Sequence, residues 1–394
     1  MTSVAPDGSK VTLDPATTRV ENTVPVQTRS ERFHSVNPDD FAPVTGREAE
    51  WRLSPVKELT ALIDGPLDGG DYPIEVDAPA GVSVEFVDAD ASGRGVVAEP
   101  EDKLAANAWS QVSRVLGIAV DAEETATTRV VRKDLGATPR AAHTLITVNE
   151  GCHGRVILES YGDALLGENL EVVLHPGATL ELVSLQEWSE DSIHYASHFG
   201  SVHRDAALTH VVASMGGHIV TVNPSVTLAG QGSSGELYGV YFADATQHLE
   251  HRVYVHHEGP DTMSRVSYKG ALHGKGARTV WIGDVLIGAD ATGTDSYEEN
   301  RNLVLSDGTR ADSIPNLEIK TGDIAGAGHA SATGRFDDEH LFYLQSRGIP
   351  EVQARRLVVQ GFLGAIVQKI TDEQLREQLL DRVKQKLRDT EESQ

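Results

Sequence analysis

Residues 274–287 read GKGARTVWIGDVLI, a glycine turn followed by a run rich in β-branched and aromatic residues. HPGATLELV at 175–183 has the same form. Such runs, bounded by Gly, Pro or Asx at intervals of roughly 10–15 residues, predict β-strands, and we find no long amphipathic helix between about 125 and 320. The predicted strands are Thr144–Val148, Arg155–Glu159, Leu170–Leu174, Thr179–Ser184, Leu208–Ala213, His218–Val222, Glu236–Phe242, His251–His256, Arg265–Lys269, Thr279–Ile287 and Asn302–Leu305.

Two architectures accommodate many short strands without helices. One is an antiparallel sandwich or jelly roll, and the other is a parallel β-helix. Tight antiparallel hairpins favour Asn-Gly or Asp-Gly turns. This region has no Asn-Gly, and its single Asp-Gly is Asp307-Gly308. The pattern therefore favours a mainly β protein with a parallel β-helix core over residues 126–334, although longer hairpin loops need no such dipeptide.

The segments before this core have a different pattern. Residues 1–30 lack sustained periodicity and are predicted to form a disordered arm. Residues 31–125 form a predicted N-terminal mixed helical region. It contains a helix with Ser54 as N-cap and Pro55 at its first position, strands at 72–76 and 82–87, and a second helix from Glu101 to Leu116.

Residues 335–394 predict a C-terminal helical region. A first helix begins near Phe336 and ends at Gly348, and Pro350 occupies the first position of a second helix. Thr371 and Gln374 have the spacing of a capping box for a last helix.

The composition excludes several classes of protein. The 394 residues include 34 Lys and Arg against 59 Asp and Glu, a formal net charge of −25. Binding to nucleic acid or to anionic lipid requires cationic side chains, so the charge argues against both partners. No run of about 18 apolar residues predicts a membrane helix. The first residues also lack the pattern of a secretory signal, so we expect a cytoplasmic protein.

Histidine is the residue type that most readily suggests a metal site. Fifteen of the 16 histidines lie between His143 and His340, and His194 and His198 have the spacing of a zinc motif. That spacing is diagnostic on a helix, whereas the surroundings here predict strand and turn. His256 and His257 should point to opposite faces of a strand. We interpret most of these histidines as solvent-facing or hydrogen-bonded side chains, with a cupin-like, histidine-ligated metal enzyme as the alternative.

Cys152 is the single cysteine, so the chain has neither a disulfide framework nor four thiolates for an iron–sulfur cluster of its own. His153 could activate its thiolate, but adjacent strand residues diverge, and we expect a small buried side chain. No GxSxG, P-loop or dinucleotide-binding motif is present. A third hypothesis for the function is a polysaccharide-active β-helix enzyme. Such enzymes are usually secreted, so the lack of a secretory signal pattern argues against it.

The stretch from Asn302 to Phe362 carries the most specific signal. Its elements are LSDG at 305–308, SIPNLEI at 313–319, Gly328-His329-Ala330, DEHLFYL at 338–344, SRGI at 346–349 and Gly361-Phe362. In order and spacing this stretch closely resembles the SufB/SufD family of iron–sulfur cluster assembly scaffolds. The length and the Leu-Glu-Ile run resemble SufD more than its longer paralogue SufB.

The resemblance implies a right-handed parallel β-helix flanked by helices, and a non-catalytic scaffold in a SufB–SufC–SufD complex. The end of the β-helix would pair with SufB, and the C-terminal helices would dock the ATPase SufC. Whether the isolated subunit pairs with itself is left open. On the helices, the residues expected to contact SufC are Phe342, Tyr343, Arg347, Leu357 and Phe362.

The resemblance also implies one cluster ligand. His329 matches the family histidine proposed to share a transient iron–sulfur cluster with a SufB cysteine, and imidazole is a known ligand of such clusters. Ala327 occupies the position at which some SufD sequences carry a cysteine. His329 is therefore the one obvious ligand near this junction, with a purely hydrogen-bonding histidine as the alternative.

Overall fold

The computed structural model describes residues 3–4, 10–11, 29, 32–335 and 338–392. The chain divides into two units, 1–32 and 33–394. In the first unit, β1 (Ser3–Val4) and β2 (Lys10–Val11) pair antiparallel. The rest of the predicted disordered arm lies outside the described residues, apart from Arg29.

The second unit consists of a long strand-rich segment between two helical segments. The N-terminal helices are α1 (Val56–Asp64) and α2 (Lys103–Gln111), and the C-terminal helices are α3 (Asp338–Ser346), α4 (Glu351–Val367) and α5 (Glu373–Glu392). The strands are β3 (Ile74–Asp77), β4 (Val82–Asp88), β5 (Arg114–Val120), β6 (Ala126–Lys133), β7 (Gly136–Val148), β8 (His153–Gly162), β9 (Ala164–Leu174), β10 (Thr179–Trp188), β11 (Ile193–Val202), β12 (Ala207–Ser214), β13 (Ile219–Leu228), β14 (Ser234–Asp244), β15 (His248–His257), β16 (Met263–His273), β17 (Arg278–Ile287), β18 (Thr294–Val304), β19 (Arg310–Ile319) and β20 (Ile324–Gly334).

The strands form a β-helix of about eight turns. Alternate strands belong to two nine-stranded sheets, which end at β20 and β3 and at β19 and β4. From β5 onward every neighbouring pair is parallel, whereas β3 and β4 join antiparallel. Side chains in register on successive coils are 26 to 32 residues apart. The predicted parallel β-helix is therefore confirmed. The alternative of a cupin-like enzyme is wrong, because a cupin has a jelly-roll fold with antiparallel strands.

Three apolar clusters hold these elements together. The first fills the β-helix with side chains such as Val156, Leu182 and Val222. The second lies on the outer face of the even-numbered strands, where α4 and α5 pack over residues such as Val211. The third lies under α1 and α2 and includes Trp51. Both helical segments therefore cover faces of the β-helix that would otherwise expose apolar surface.

The tight corners of the coils depend on residues that tolerate left-handed backbone conformations. Gly177 has φ +70° and Asp205 has φ +57°. At Gly230 a Cβ atom would lie 2.0 Å from the backbone nitrogen of Arg204, so the stacked turns require glycine at that position.

Three predicted helix boundaries are wrong. α1 begins at Val56 rather than at Pro55, because the Ser54 hydroxyl bonds Glu250 and Arg252 instead of capping the helix. α2 spans Lys103–Gln111 rather than Glu101 to Leu116, and residues 114–116 belong instead to strand β5, which pairs with β4 and β7. Tertiary pairing has overridden the helical spacing of these residues.

The third error concerns α5. Asp372, not Thr371, caps this helix by accepting a hydrogen bond of 2.8 Å from the Leu375 amide. Thr371 instead bonds Glu181 on β10. None of the helices in the described part of the chain is long and apolar enough to span a membrane.

Candidate functional site

The two ends of the β-helix differ in how their interiors are covered. At the N-terminal end the rings of Tyr72 and Phe86 meet edge to face, 5.1 Å apart, over the apolar interior. At the other end, the side chains of β19 and β20 are at most half-buried. Both strands are also edges of their sheets among the described residues. This open end is the candidate functional site.

His329 lies on β20 at the open end. It is in register with Glu298 on β18, so the two side chains lie on the same face of the sheet. The Nδ1 atom of His329 is 3.9 Å from Oε1 of Glu298. The His329 side chain is 44% exposed, whereas that of Glu298 is 1% exposed. His329 is therefore available to a partner, as the resemblance implies.

Glu298 is an unusual buried carboxyl group. Neither of its oxygens has a hydrogen-bond partner among the described residues. Burial, followed by the nearby Asp284 carboxylate, raises the pKa of Glu298 to about 8. The backbone of Asn316 partly opposes this rise in pKa. Both oxygens of the Glu298 carboxyl are therefore still able to bind a hydrogen-bond donor or a cation at the open end.

The interior next to Glu298 is polar rather than aliphatic. The Tyr241 hydroxyl donates to Oδ1 of Asn302 and accepts from Nδ2 of Asn300, both at 2.8 Å. Ser313 donates to Oδ1 of Asn300, and Ser331 donates to Ser313, again at 2.8 Å. This chain of hydrogen bonds extends from the buried interior to the exposed rim.

Ala327 lies on β20 beside Ser296, whose hydroxyl is 2.8 Å from that of Ser264. Ala327 packs against the interior cluster. The position at which some SufD sequences carry a cysteine therefore faces inward here, and its methyl group offers no metal ligand.

The paired histidines of the sequence lie inside the β-helix. His194 bonds Glu168 at 3.0 Å, and Arg132 holds the same carboxylate at 2.8 and 2.7 Å. His198 lies 3.2 Å from His210. The prediction that the histidines are either solvent-facing or hydrogen-bonded is confirmed for these residues in its second form, since they are buried and hydrogen-bonded. No group of three or more metal-ligating side chains occurs within the described residues.

Four further histidines, His248, His251, His256 and His257, are divided between the two faces of β15. His257 is buried and bonds Thr262 and Ser264, whereas His256 is partly exposed, which confirms their predicted divergence. His248 lies on the outer face and bonds Glu250 at 2.9 Å. Although burial would raise it, Arg252 and His248 lower the pKa of Glu250 to about 2. This network fastens the segment around Ser54 to the β-helix.

Cys152 is buried, as predicted. Burial, and then the Asp121 carboxylate, raise the pKa of its thiol. The ring of His153 is directed to the Thr179 hydroxyl at 2.8 Å. The environment therefore stabilises the neutral thiol and not a reactive thiolate.

The five residues expected to contact SufC divide into two groups. Phe342 and Tyr343 are 71% and 57% exposed, and Leu357 is 41% exposed. The Arg347 guanidinium lies over the Tyr343 ring, 5.3 Å from its centroid. Phe362 packs partly against the β-helix, where the Lys269 ammonium is 5.2 Å from its ring centroid. An exposed apolar surface therefore exists on α3 and the start of α4, and Phe362 lies on its inner side.

Comparison with known proteins places this architecture in a family. The model of the SufBD core domain, described as SUF system FeS cluster assembly, matches residues 130–362. Iron–sulfur cluster assembly SufBD family proteins of Mycobacterium bovis and Mycobacterium tuberculosis are 43% and 42% identical over 378 residues, 92% of this chain and 94% of each relative. The chain belongs to the SufBD family. It is thus an iron–sulfur cluster assembly protein, and the matched core contains the open end with His329.

A second SufBD family protein of Mycobacterium bovis is 27% identical over 208 residues, which are 53% of this chain and 24% of that protein. The SufBD family thus supplies two different relatives in one organism. One of them matches nearly the full length of this chain, and the other is much longer.

Sequence reasoning missed one residue of the SufBD open end, Glu298. Its signal is the alternation in SYEENRN at 296–302, where Ser296, Glu298, Asn300 and Asn302 are polar at every second position. Alternation of this kind normally marks a solvent-facing side of a strand. Here it marks the inner side, because the interior is polar near its end.

Proposed function

We propose that this chain is a SufD-like, non-catalytic scaffold subunit of a SufB–SufC–SufD complex that assembles iron–sulfur clusters. The observation that carries the proposal is the contrast between the two ends of the β-helix. Sheet edges occur at both ends, but an aromatic pair covers the interior at one end, whereas at the other the interior is polar and neither of the last two strands has a fully buried side chain. Unpaired edge strands are templates for pairing with another chain. The open end is therefore suited to the end of a second, related β-helix.

The two classes of relative support the assignment to the SufD branch. Similarity over 94% of one relative and over 24% of another is the pattern expected if SufD-like and SufB-like proteins coexist in one organism. In this proposal the longer relative corresponds to the SufB partner.

The C-terminal helices are the proposed SufC site. α4 and α5 pack on the β-helix through residues such as Val359 and Leu379, which are fully buried. Phe342 and Tyr343 remain exposed on α3. Aromatic residues that no neighbouring element covers are frequent anchors of interfaces. The ATPase chemistry then belongs to SufC, and this chain supplies its docking surface.

The cargo of the proposed complex is a nascent iron–sulfur cluster held transiently at the junction with SufB. Neutral imidazole ligates iron, and His329 presents an imidazole at the open end. A SufB cysteine would supply the thiolate that this region of the chain lacks.

Co-expression of the affinity-tagged chain with SufB and SufC tests the proposal. The wild-type chain should copurify both proteins, and the complex should retain iron and sulfide after anaerobic reconstitution. His329→Ala should leave the complex intact and lower its cluster content. His203→Ala, which removes a partly exposed turn histidine, is the matched control and should change neither result.

Failure of the wild-type chain to retain SufB and SufC would contradict the scaffold role. Unchanged cluster content in His329→Ala would contradict the ligand role alone. Loss of the complex in that variant would show instead that His329 is a structural residue of the junction.

A further inference from the structure

Four glutamates of the β-helix have side chains that are at most 1% exposed, in very different surroundings. Glu171 is bound by His143 at 3.0 Å and by the backbone amide of Gly95 at 2.7 Å. Glu168 is bound by Arg132 and His194, and Glu250 is bound by Arg252 and His248. Glu298 has no hydrogen-bond partner within the described residues, and the main charge acting on it is another carboxylate, Asp284. Burial of a polar group without a partner destabilises the folded state, so such a group calls for an explanation.

The nearest group able to act with Glu298 is His329. Their Oε1 and Nδ1 atoms are 3.9 Å apart, which is too long for a hydrogen bond. Two ligands at about 2.1 Å from one tetrahedral metal ion lie about 3.4 Å apart. A small rotation of the exposed imidazole would bring the two atoms to that separation.

The opposite sheet leaves space for the carboxylate. At Gly283 a Cβ atom would lie 2.4 Å from Oε2 of Glu298 and 2.2 Å from the Trp281 ring. Glycine at this position therefore allows the carboxylate to lie across the interior of the β-helix. His329 is on the last strand of its sheet, so movement of its side chain would expose Glu298 to the open end.

We propose that Glu298 and His329 together bind a divalent iron ion at the open end of the β-helix, as this chain's contribution to a site completed by its partner. The inference rests on the proposed function, since the ion would be cargo of cluster assembly. Carboxylate and imidazole are a ligand pair that suits ferrous iron. The cost of the unpartnered carboxylate is offset when the ion binds.

Anaerobic titration of the full-length, tag-free chain with Co²⁺, a spectroscopic substitute for ferrous iron, tests the inference. The visible absorption of bound Co²⁺ should report a site in the wild type. Glu298→Gln and His329→Ala should each weaken binding by about tenfold or more. The double variant should bind Co²⁺ with the same affinity as whichever single variant binds it more weakly, because both changes remove the same site.

Thermal unfolding without metal separates this role from a structural one. Glu298→Gln should unfold at the same or a higher temperature than the wild type, because it removes an unpartnered acid. Glu168→Gln should unfold at a lower temperature, because it weakens a buried ion pair with Arg132.

Glu299→Gln is the matched control for charge, since Glu299 is the next residue and bonds Ser267 at 2.9 Å on the other face of β18. It should bind Co²⁺ like the wild type. Wild-type affinity in Glu298→Gln, or no Co²⁺ binding by the wild type, would overturn the inference. Neither result would affect copurification with SufB and SufC, which tests the proposed function separately.

Discussion

At the scale of single residues, the interior of this β-helix contains imidazoles that burial keeps neutral. His251 is stacked on Tyr241 at 4.8 Å and bonds the Ser214 hydroxyl at 3.0 Å. Burial lowers the pKa of His251 to about 3 and that of His198 to about 4. Both groups would take up a proton near pH 6.5 in the unfolded chain, so their burial couples stability to pH.

The sign of this coupling follows from the lowered pKa. The stabilising contribution of neutral His251 is complete above about pH 6.5 and is lost as the pH falls toward 3. His251→Phe keeps a ring between Tyr241 and Tyr268, whose ring centroid is 5.6 Å from that of His251, and removes the titrating group. Between about pH 6.5 and 4.5, the free energy of unfolding of the variant should therefore fall less steeply than that of the wild type, by about 1.4 kcal/mol per pH unit. Urea unfolding at several pH values measures the difference.

Val253→Ala is the control, because it opens a gap in the same interior without removing a titrating group. It should lower the free energy of unfolding by a similar amount at every pH. Equal pH slopes in His251→Phe and the wild type would contradict a neutral, buried His251.

At the scale of the elements, the C-terminal helices have both a structural face and an exposed one. Leu363, Val367 and Leu379 are fully buried against the β-helix. Truncation after Arg335 would therefore uncover a large apolar surface on strands such as β12 and β14. Substitutions on the exposed side test partner binding without this damage.

We expect the double substitution Phe342→Ala/Tyr343→Ala to abolish copurification of SufC. The two rings are exposed, so their loss should change the temperature of unfolding little, while removing the aromatic anchors of the proposed interface. Pull-down from co-expressing cells measures the loss.

Phe33→Ala is the matched control, because Phe33 is 56% exposed and lies outside the C-terminal helices. It should retain SufC. Retention of SufC by the double variant as well would show that the exposed rings of α3 are not the docking surface.

At the scale of the whole molecule, the open end gives the isolated chain a surface suited to association with a second copy. β19 and β20 have unpaired edges, and Ile319 at the end of β19 is 43% exposed. Without a SufB partner we expect a homodimer through this end. Ile319→Asp should yield a monomer with an unchanged temperature of unfolding, because it places a charge in the interface.

Val76→Asp is a closely matched control, since Val76 is also 43% exposed and lies on β3, the edge strand at the opposite end. It should remain dimeric in analytical ultracentrifugation. Dimerisation of Ile319→Asp, or a monomer in Val76→Asp, would show that a different surface associates.

The sequence alone determined the class of fold and the family. Short β-rich runs, one Asp-Gly in the region and the motifs between Asn302 and Phe362 are local properties of the chain, and each predicted a feature that the structure or the comparisons confirm. His329 was also identifiable, because its motif is continuous. Whether it ligates iron stays a prediction.

Tertiary structure decided what depends on residues distant in the chain. The Ser54 hydroxyl bonds Glu250 and Arg252 instead of capping α1. Residues 114–116 form a strand rather than a helix because they pair with β4 and β7. Glu298 looks like an exposed strand residue until the coils stack and enclose it. The proposed role of Glu298 depends on His329, which is 31 residues away in the chain. Stacking of successive coils places the two side chains next to each other. The spacing of residues within one strand does not predict such contacts between coils.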